Sequence, residues 1–394
     1  MTYANHAGKP IDVAIFGATG YTGRLVAEYF NQSYPAGSGV QWAMVGRSAA
    51  KLAEVRDLIG APADTTLLTA DASDPASLRA VAEKAKVVLT TVGPYQLYGE
   101  ALVALCAETG TDYVDLCGEP AWMKKMIEAH DAVAKQSGAR IVFSCGFDSI
   151  PFDLGVQFLQ NAAREKLGGV CQEVRCLVRA MDGKFSGGTA ASLKATMAAA
   201  GADPSIVQTL MNPFALTPGF QGPEQPAMHK PLEDPEYGWL APFVMAPINT
   251  KNVHRSNHLS GHAYGRDFKY SEMFLTGPGE QGAAIAKAVA SDNSLMGEDA
   301  PKPGEGPTRE EREKGFYDVL FIGEGPGGAE IKASVYGDMD PGYGSTSKMI
   351  AESALCLVEN ADGTGGGVWT PAGALGAQLV ERLQAKAGLT FKLE

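Results

Sequence analysis

The first 150 residues alternate between short apolar runs and amphipathic segments. Residues 11–16 are largely apolar and β-branched, and residues 22–31 carry apolar side chains at helical spacing. Continued along the chain, the alternation predicts strands at 11–16, 41–45, 65–70, 86–92, 113–116 and 140–144, with helices at 22–31, 48–58, 73–85, 99–109 and 120–136. Because repeated strand–helix units fold into a parallel sheet covered by helices, the pattern predicts an α/β fold with a doubly wound parallel sheet.

This rhythm changes after Phe147. Strand patterns recur at 173–180, 316–324 and 330–336, separated by long loops at 212–237 and 299–308, and the end of the chain has helical patterns at 348–358 and 375–387. A chain of 394 residues exceeds one ordinary compact core. We therefore expect a dinucleotide-binding domain at 1–147, a second α+β substrate domain with a mixed or antiparallel sheet at 148–344, and C-terminal helices at 345–394 that pack back on the first domain.

Composition and charge narrow the class of protein. Hydrophobic residues make up 45% of the chain and charged residues 20%, the balance of a folded globular protein. The formal net charge of −12 argues against a nucleic-acid partner, because binding a phosphate backbone requires a basic face. The six cysteines form no Cys-x-x-Cys pair, so we expect reduced thiols in a cytoplasmic protein.

The chain shows no signal for membrane insertion. Its first residues lack the layout of a signal peptide, and no apolar run reaches the ~18 residues of a membrane span. The longest apolar candidate, 239–248, is short and contains two prolines. Peripheral membrane contact through this segment stays open as an alternative, and the favoured interpretation is a buried or pocket-lining loop.

A glycine-rich turn lies between the first predicted strand and its helix. It consists of Gly17, Ala18, Thr19, Gly20, Tyr21, Thr22 and Gly23. Glycines in such a turn permit positive φ, close approach of a pyrophosphate and tight packing of helix on strand, while the helix N-terminus attracts phosphate. The flanking strand and helix supply the context that this motif needs, so we predict a Rossmann-type dinucleotide site.

The end of the second strand indicates which cofactor binds. Enzymes that use NAD place Asp or Glu at this point, whereas this chain has Arg47 and Ser48. An arginine can grip a 2′-phosphate with its planar fork, and the serine hydroxyl can add a hydrogen bond. We therefore predict NADP(H) as cofactor. The alternative for Arg47 is an exposed loop arginine without a ligand.

Two further loops follow predicted strands at the same edge of the sheet. Asp71 and Ala72 are expected to border the adenine. The turn after the fourth strand, expected near the ribose and nicotinamide, contains Thr91, Val92, Gly93, Pro94 and Tyr95. Tyr95 and Tyr98 are the first candidates for the proton donor. The alternatives for either tyrosine are packing against the cofactor and capping the next helix.

Blocks along nearly the whole chain resemble the saccharopine dehydrogenase-like oxidoreductases, in particular their branch of trans-acting enoyl reductases. Besides the glycine loop, the resemblance is carried by blocks 45–48 (Val-Gly-Arg-Ser), 92–95 (Val-Gly-Pro-Tyr), 112–119 (Asp-Tyr-Val-Asp-Leu-Cys-Gly-Glu), 145–151 (Cys-Gly-Phe-Asp-Ser-Ile-Pro), 186–189 (Ser-Gly-Gly-Thr), 264–268 (Tyr-Gly-Arg-Asp-Phe), 337–343 (Gly-Asp-Met-Asp-Pro-Gly-Tyr) and 367–371 (Gly-Val-Trp-Thr-Pro). The resemblance implies a Rossmann domain, a second α/β domain and NADP use.

For this branch the resemblance also implies NADPH-dependent reduction of a carbon–carbon double bond in an enoyl lipid or polyketide-type substrate. Two alternatives stay open: imine reduction of the saccharopine dehydrogenase type, and a non-catalytic protein that senses NADP. The expected partner is a small-molecule or lipid-like substrate, and a homodimer is an open alternative.

Further chemistry is expected where the two domains join. Asp148 could act as an acid or base and Ser149 as a hydrogen-bond donor, or either could cap the helix that follows. Histidines recur at His254, His258 and His262, but Ser260-Gly261 interrupts a helix there and no carboxylate or cysteine completes a ligand set, so no metal site is predicted.

Overall fold

The computed structural model of the protein describes residues 6–184, 187–297, 302, 304–359 and 363–394. The strands of its first half are β1 (Ile11–Phe16), β2 (Trp42–Gly46), β3 (Thr66–Thr69), β4 (Ala85–Thr90), β5 (Asp112–Val114) and β6 (Arg140–Val142). The helices between and beside them are α1 (Tyr21–Ser33), α2 (Ala49–Leu58), α3 (Pro75–Ala82), α4 (Tyr95–Tyr98), α5 (Glu100–Thr109) and α6 (Pro120–Ser137).

The second half adds strands and helices in a less regular order. From the junction onward they are α7 (Ile150–Leu167), β7 (Glu173–Asp182), α8 (Gly187–Ala202), α9 (Pro204–Met211), β8 (Leu232–Asp234), β9 (Gly238–Pro242), α10 (Ala246–Leu259), β10 (Lys269–Gly277) and α11 (Gly279–Ala290). They continue with α12 (Arg309–Lys314), β11 (Phe316–Glu324), β12 (Glu330–Gly337), α13 (Thr346–Glu359), β13 (Gly367–Trp369), α14 (Pro371–Ala374), α15 (Gly376–Lys386) and β14 (Leu389–Leu393).

Seven parallel strands form the first sheet, in the order β13-β6-β5-β4-β1-β2-β3. The chain order reverses between β1 and β4, and ligands of doubly wound sheets bind at such a switch point, beyond the carboxyl ends of the strands. The predicted fold class, a Rossmann-type doubly wound parallel sheet with a second α+β domain, is confirmed.

The second sheet is mixed, as predicted, with the order β14-β12-β11-β7-β10-β9-β8. Its only parallel pair among the described strands is β7 with β10, and the other neighbours are antiparallel. Helix α7 leaves the edge of the first sheet and packs against β11 and β12, so it connects the two sheets directly.

The C-terminal segment contributes to both sheets. Helix α13 packs on α1 and β4, β13 extends the first sheet, and β14 adds an edge strand to the second. A continuous apolar core joins the first sheet to the second through α7 and α13. The domain division at residues 147 and 344 stays a prediction, because the tail is shared between the two sheets.

Two sequence expectations differ from the structure. Residues 239–248, expected as a loop, form most of β9 and the start of α10. The loop expected at 212–237 contains β8, whose short length hid its pattern. None of the helices in the described part of the chain combines the length and apolar character needed to cross a bilayer.

Candidate functional site

The glycine loop connects β1 to α1 at the switch point of the first sheet. Gly17 has a φ of 92°, in the left-handed region that favours glycine. A Cβ on Gly23 would lie 2.1 Å from the carbonyl oxygen of Gly17, so only glycine permits this approach of helix to strand. The N–H groups of Gly17 and Ala18 donate to the Val45 carbonyl at 3.0 and 3.1 Å and anchor the loop to β2.

The start of α1 is arranged for an anion. Thr19 and Gly20 are exposed, and Gly20 precedes the helix without any side-chain cap. The first turn, with Tyr21 and Thr22, contains no acidic side chain. Uncapped N–H groups at the positive end of a helix dipole, next to glycine backbone, suit a pyrophosphate.

Tyr21 ties the glycine loop to the second half of the chain. Its hydroxyl donates to the Pro307 carbonyl and accepts from Arg312 Nη1 at 2.8 Å. The ring of Tyr343 meets the Tyr21 ring edge-on, with centroids 4.7 Å apart. The predicted cofactor loop is therefore held from both sides, which the sequence pattern did not indicate.

Arg47 lies exposed at the end of β2, and its side chain makes no hydrogen bond or ion pair with the described residues. Ser48 accepts a bond from the Lys51 N–H at 3.3 Å and so caps α2. Hydrogen bonds from Ser73 lower the pKa of Asp71, and the positive charge of Arg47 lowers it further. An uncommitted guanidinium at this edge fits a 2′-phosphate. Ala72, beside Asp71, packs against the core.

The turn after β4 touches the glycine loop. A Cβ on Gly17 would lie 2.7 Å from Val92 Cγ2 and 3.0 Å from Thr91 Oγ1, so Thr91 and Val92 pack directly against the glycine loop. Gly93 is exposed, and Pro94 precedes α4. The structure thus brings together the glycine loop and the turn expected near the nicotinamide.

Tyr95 points into the core of the first sheet. Its hydroxyl donates to the Thr90 carbonyl at 3.3 Å and accepts from the Leu116 N–H at 3.0 Å, and its ring packs on Trp122. Burial raises the pKa of Tyr95 well above its ordinary value. These contacts engage the Tyr95 hydroxyl within the protein core and argue against proton donation from it. Tyr98, by contrast, is 49% exposed.

Asp148 lies where the two halves of the chain meet. Its side chain is half-buried, accepts no hydrogen bond from the described residues, and would lie 3.8 Å from a Cβ placed on Gly118. Burial raises its pKa to about 7. Ser149 precedes α7, but its side chain makes no capping bond and instead accepts from Asn252 Nδ2 at 2.8 Å. A half-buried carboxyl group whose pKa lies near neutrality is suited to acid–base chemistry.

Side chains from β10 and α10 lie near this junction, and the sequence analysis did not predict them. Glu272 on β10 is fully buried, accepts from Asn249 Nδ2 at 2.7 Å, and lies close enough to Asp148 for their charges to interact. A strand pattern at 269–277 would have placed Tyr270 and Glu272 on one face, which is a detectable signal. That strand was not predicted.

Glu119, the last residue of the block 112–119, organises the turn after β4. Glu119 accepts from the N–H groups of Tyr95 and Gln96, both at 2.9 Å, and from Ser192 Oγ at 2.8 Å. Its carboxylate therefore caps α4 and connects this turn to α8. Of the block 186–189, Ser186 lies outside the described residues, and Gly187 begins α8.

The three histidines do not converge on a ligand site. His254 and His258 lie on α10 and His262 follows it, with aromatic rings of Phe214 and Phe220 packed among them. No group of three or more potential metal-ligating side chains occurs within the described residues.

The residues present fit a bound NADP. Gly17 and Gly23 let the loop, α1 and the turn after β4 pack closely, α1 offers an uncapped N-terminus, and the Arg47 guanidinium has no partner among the described residues. A pyrophosphate over the loop and a 2′-phosphate at Arg47 would satisfy both features. The fold and this site define a dinucleotide-dependent oxidoreductase.

Comparisons with known proteins agree. The family model described as the saccharopine dehydrogenase NADP binding domain matches residues 13–142. A Mycobacterium tuberculosis protein, provisionally named a trans-acting enoyl reductase, is 40% identical over 98% of this chain and 97% of its own. The trans-acting enoyl reductase of Mycobacterium ulcerans is 36% identical over 96% of both chains.

A structural comparison shows the same fold. Apo saccharopine dehydrogenase (L-Glu forming) from Saccharomyces cerevisiae superimposes with a TM-score of 0.54 at 11% sequence identity, covering 97% of this chain and 99% of that one. The protein is an NADP-dependent oxidoreductase with a saccharopine dehydrogenase-type NADP-binding domain. It belongs to the family of the trans-acting enoyl reductases.

Replacing Arg47 by alanine is expected to raise the Kd for NADPH about 10- to 100-fold and to leave the Kd for NADH nearly unchanged. A hydrogen bond to a charged group contributes about 1.5–3 kcal/mol, and the 2′-phosphate occurs only in NADPH. Nicotinamide fluorescence titration measures both constants. Arg79→Ala, a partly exposed arginine on α3, is the control. Equal losses for both nucleotides would contradict the assignment.

Replacing Tyr95 by phenylalanine is expected to change the hydride-transfer rate by less than about tenfold and to lower stability by about 1–3 kcal/mol. The variant leaves the part-buried Leu116 N–H without its acceptor, which carries that cost. Stopped-flow NADPH oxidation and chemical denaturation separate the two effects. Tyr98→Phe, at an exposed position, should change neither. A rate loss of about 100-fold or more would restore Tyr95 as proton donor.

Proposed function

We propose that this protein reduces the carbon–carbon double bond of an enoyl substrate of lipid or polyketide type, with NADPH as reductant. The near full-length relatives named trans-acting enoyl reductases support this reaction. The observation that carries the choice of substrate class is the chemistry around Asp148. Carboxyl and amide groups lie there, and no cation of the described residues pairs with Asp148 or Glu272.

The buried cations nearest in sequence to these amides are already engaged. Lys251 Nζ donates to the carbonyls of Leu210 and Pro247, both at 2.8 Å. The guanidinium of Arg255 donates to the carbonyls of Leu216 and Val368. An imine formed from an amino acid and carrying two carboxylates needs free cations. The groups around Asp148 therefore favour a substrate with an uncharged reacting group over the imine alternative.

The protein's own groups supply binding, orientation and a proton. NADPH supplies the hydride when it is bound over the glycine loop. Asp148, protonated below about pH 7, is the group we assign to protonate the α-carbon of the reduced substrate. Tyr95 and Glu119 hold the turn after β4 in place as positioning residues.

The test is NADPH oxidation by the purified protein with an enoyl thioester, compared with a mixture of an amino acid and an aldehyde that forms an imine. We expect turnover with the thioester and none with the imine mixture. Turnover with the imine alone would overturn the proposal. Stoichiometric NADPH binding without turnover of either would favour the NADP-sensing alternative.

The proposal extends to location and assembly. All six cysteines are buried free thiols, which suits the reducing conditions of a cytoplasmic location. We retain a homodimer and peripheral membrane contact as parts of the proposal to be tested by light scattering and by vesicle sedimentation. A monomer that stays in the supernatant would remove both.

A further inference from the structure

The second sheet buries the carboxyl group of Glu272, whose charge interacts with that of Asp148. Glu272 is 0% exposed, Asn249 Nδ2 donates to its Oε1 at 2.7 Å, and the Tyr270 hydroxyl lies 2.9 Å from its Oε2. It forms no ion pair with any described residue. Since an unpaired buried carboxylate is costly, this environment favours the protonated form.

The titratable neighbours of Glu272 are few. Tyr270 shares its strand, the thiol of Cys176 on β7 lies beside the Tyr270 hydroxyl, and Asp148 faces it from the junction. Helix α10 contributes Asn249, and β9 presents no titratable side chain in its pairing with β10. Burial, with a smaller contribution from the negative charge of Asp148, raises the pKa of Glu272 to about 8.

Helix α10 connects the two carboxyl groups. Asn249 and Asn252 are three residues apart and so lie on one face of the helix. Asn249 bonds to Glu272, and Asn252 bonds to Ser149, the residue after Asp148. Each amide is 0% exposed, and the Oδ1 of each has no hydrogen-bond partner among the described residues. Both oxygens can accept a further hydrogen bond, which suits a polar path between the carboxyl groups.

We propose that Glu272 is a proton reservoir that returns a proton to Asp148 after each turnover. The side-chain amides of Asn249 and Asn252 provide hydrogen-bond acceptors along the path between the two carboxyl groups. The proposal rests on the proposed function. When Asp148 has given its carboxyl proton to the substrate carbon, the O–H bond of Glu272 breaks and an O–H bond forms on Asp148. Glu272 then regains a proton from solvent, so one solvent proton is consumed for each hydride transferred.

The first test is an infrared pH titration of the NADP-loaded protein, which follows the carbonyl stretching band of protonated carboxyl groups. Glu272→Gln should remove a band component that titrates near pH 8. Asp148→Asn should shift that component to lower pH, because the charge that disfavours ionisation of Glu272 is gone. Asn249→Leu should shift it to higher pH, because Asn249 stabilises the ionised form. Glu330→Gln, at a half-exposed position on β12, is the control and should change nothing near pH 8.

The second test is the pH profile of turnover. Glu272→Gln should lower kcat about tenfold at pH 8 and less at pH 6, where solvent reprotonates Asp148 readily, with an unchanged Kd for NADPH. A band component near pH 8 that survives in Glu272→Gln, or that does not move in Asp148→Asn and Asn249→Leu, would overturn the proposal. If the bands behave as expected but no enoyl substrate is reduced, the proposed function fails while the coupling of the two carboxyl groups stands.

Discussion

Asp148→Asn is expected to lower kcat with an enoyl substrate by about 10²- to 10⁴-fold, the usual contribution of a positioned general acid. The asparagine keeps the shape of the side chain, but its amide has no acidic proton to transfer to the substrate. Because Asp148 accepts no hydrogen bond from the described residues, the variant should leave the Kd for NADPH and the melting temperature close to those of the parent.

The pH dependence gives this prediction its sharper form. The proton donor must be protonated, and burial raises the pKa of Asp148 to about 7. The parent rate should therefore be full below about pH 7 and should fall as the pH rises through that value. Asp148→Asn should lose this limb of the profile. Single-turnover NADPH oxidation across the pH range measures it.

Asp153 provides a matched control. Burial also raises its pKa to about 7, but its carboxylate accepts from Ser256 Oγ at 2.6 Å and from the Ala372 N–H at 2.9 Å. Asp153→Asn should lower stability through this network and should keep the pH limb of the rate. If both variants lose the limb, or if Asp148→Asn keeps a rate within about tenfold of the parent, Asp148 is not the donor.

The first sheet was accessible from the sequence because its signals are local. Each strand is followed within a few residues by its helix, and the glycine loop lies at the one position where a doubly wound fold requires it. Both ends of β11, Phe316 and Glu324, were also predicted correctly, because its apolar run is long and ends at turn residues. Local pattern is sufficient where a strand is long or is paired through a short crossover.

The second sheet depends on contacts that a local pattern does not contain. Strand β10 pairs in parallel with β7 across all of α8, α9 and α10, and β13 and β14 return from the end of the chain to different sheets. These short strands are stabilised by partners remote in sequence, so propensity alone does not distinguish them from loops.

The same division applies to the site. The candidate cofactor site combines residues that follow the ends of neighbouring strands, so the sequence alone was enough to propose Gly17, Arg47 and Val92 as its members. Their contacts with the cofactor stay a prediction. The contact between Asn249 and Glu272 forms only when α10 packs on β10. For Tyr95, the position in the chain near the switch point was predictable from the sequence. The direction of its hydroxyl was not, because it depends on a hydrogen bond from Leu116, which follows β5.

The largest expected loss of stability comes from Asp112, at the start of β5. Its carboxylate is fully buried and pairs with the guanidinium of Arg140, which donates through Nε at 3.0 Å and through Nη2. It also accepts from the Arg140 N–H at 2.8 Å and bonds to His6 Nε2 at 2.9 Å. Arg140 Nη2 continues to the Leu357 carbonyl on α13 at 2.7 Å, so one carboxylate links β5, β6 and the C-terminal segment.

Asp112→Ala is expected to lower the free energy of unfolding by about 3–5 kcal/mol, because it removes the carboxylate that pairs with the buried Arg140 charge. That is a large share of the roughly 5–15 kcal/mol that stabilises a typical protein. Equilibrium denaturation measures the loss. Asp112→Asn, which can still accept from the Arg140 N–H, should lose less. Glu100 forms an ion pair with Lys125, and both side chains are more than half exposed. Glu100→Ala should therefore lower the free energy of unfolding by no more than about 1 kcal/mol. Equal losses in Asp112→Ala and Glu100→Ala would mean that the buried pair stabilises the junction no more than a solvated one does.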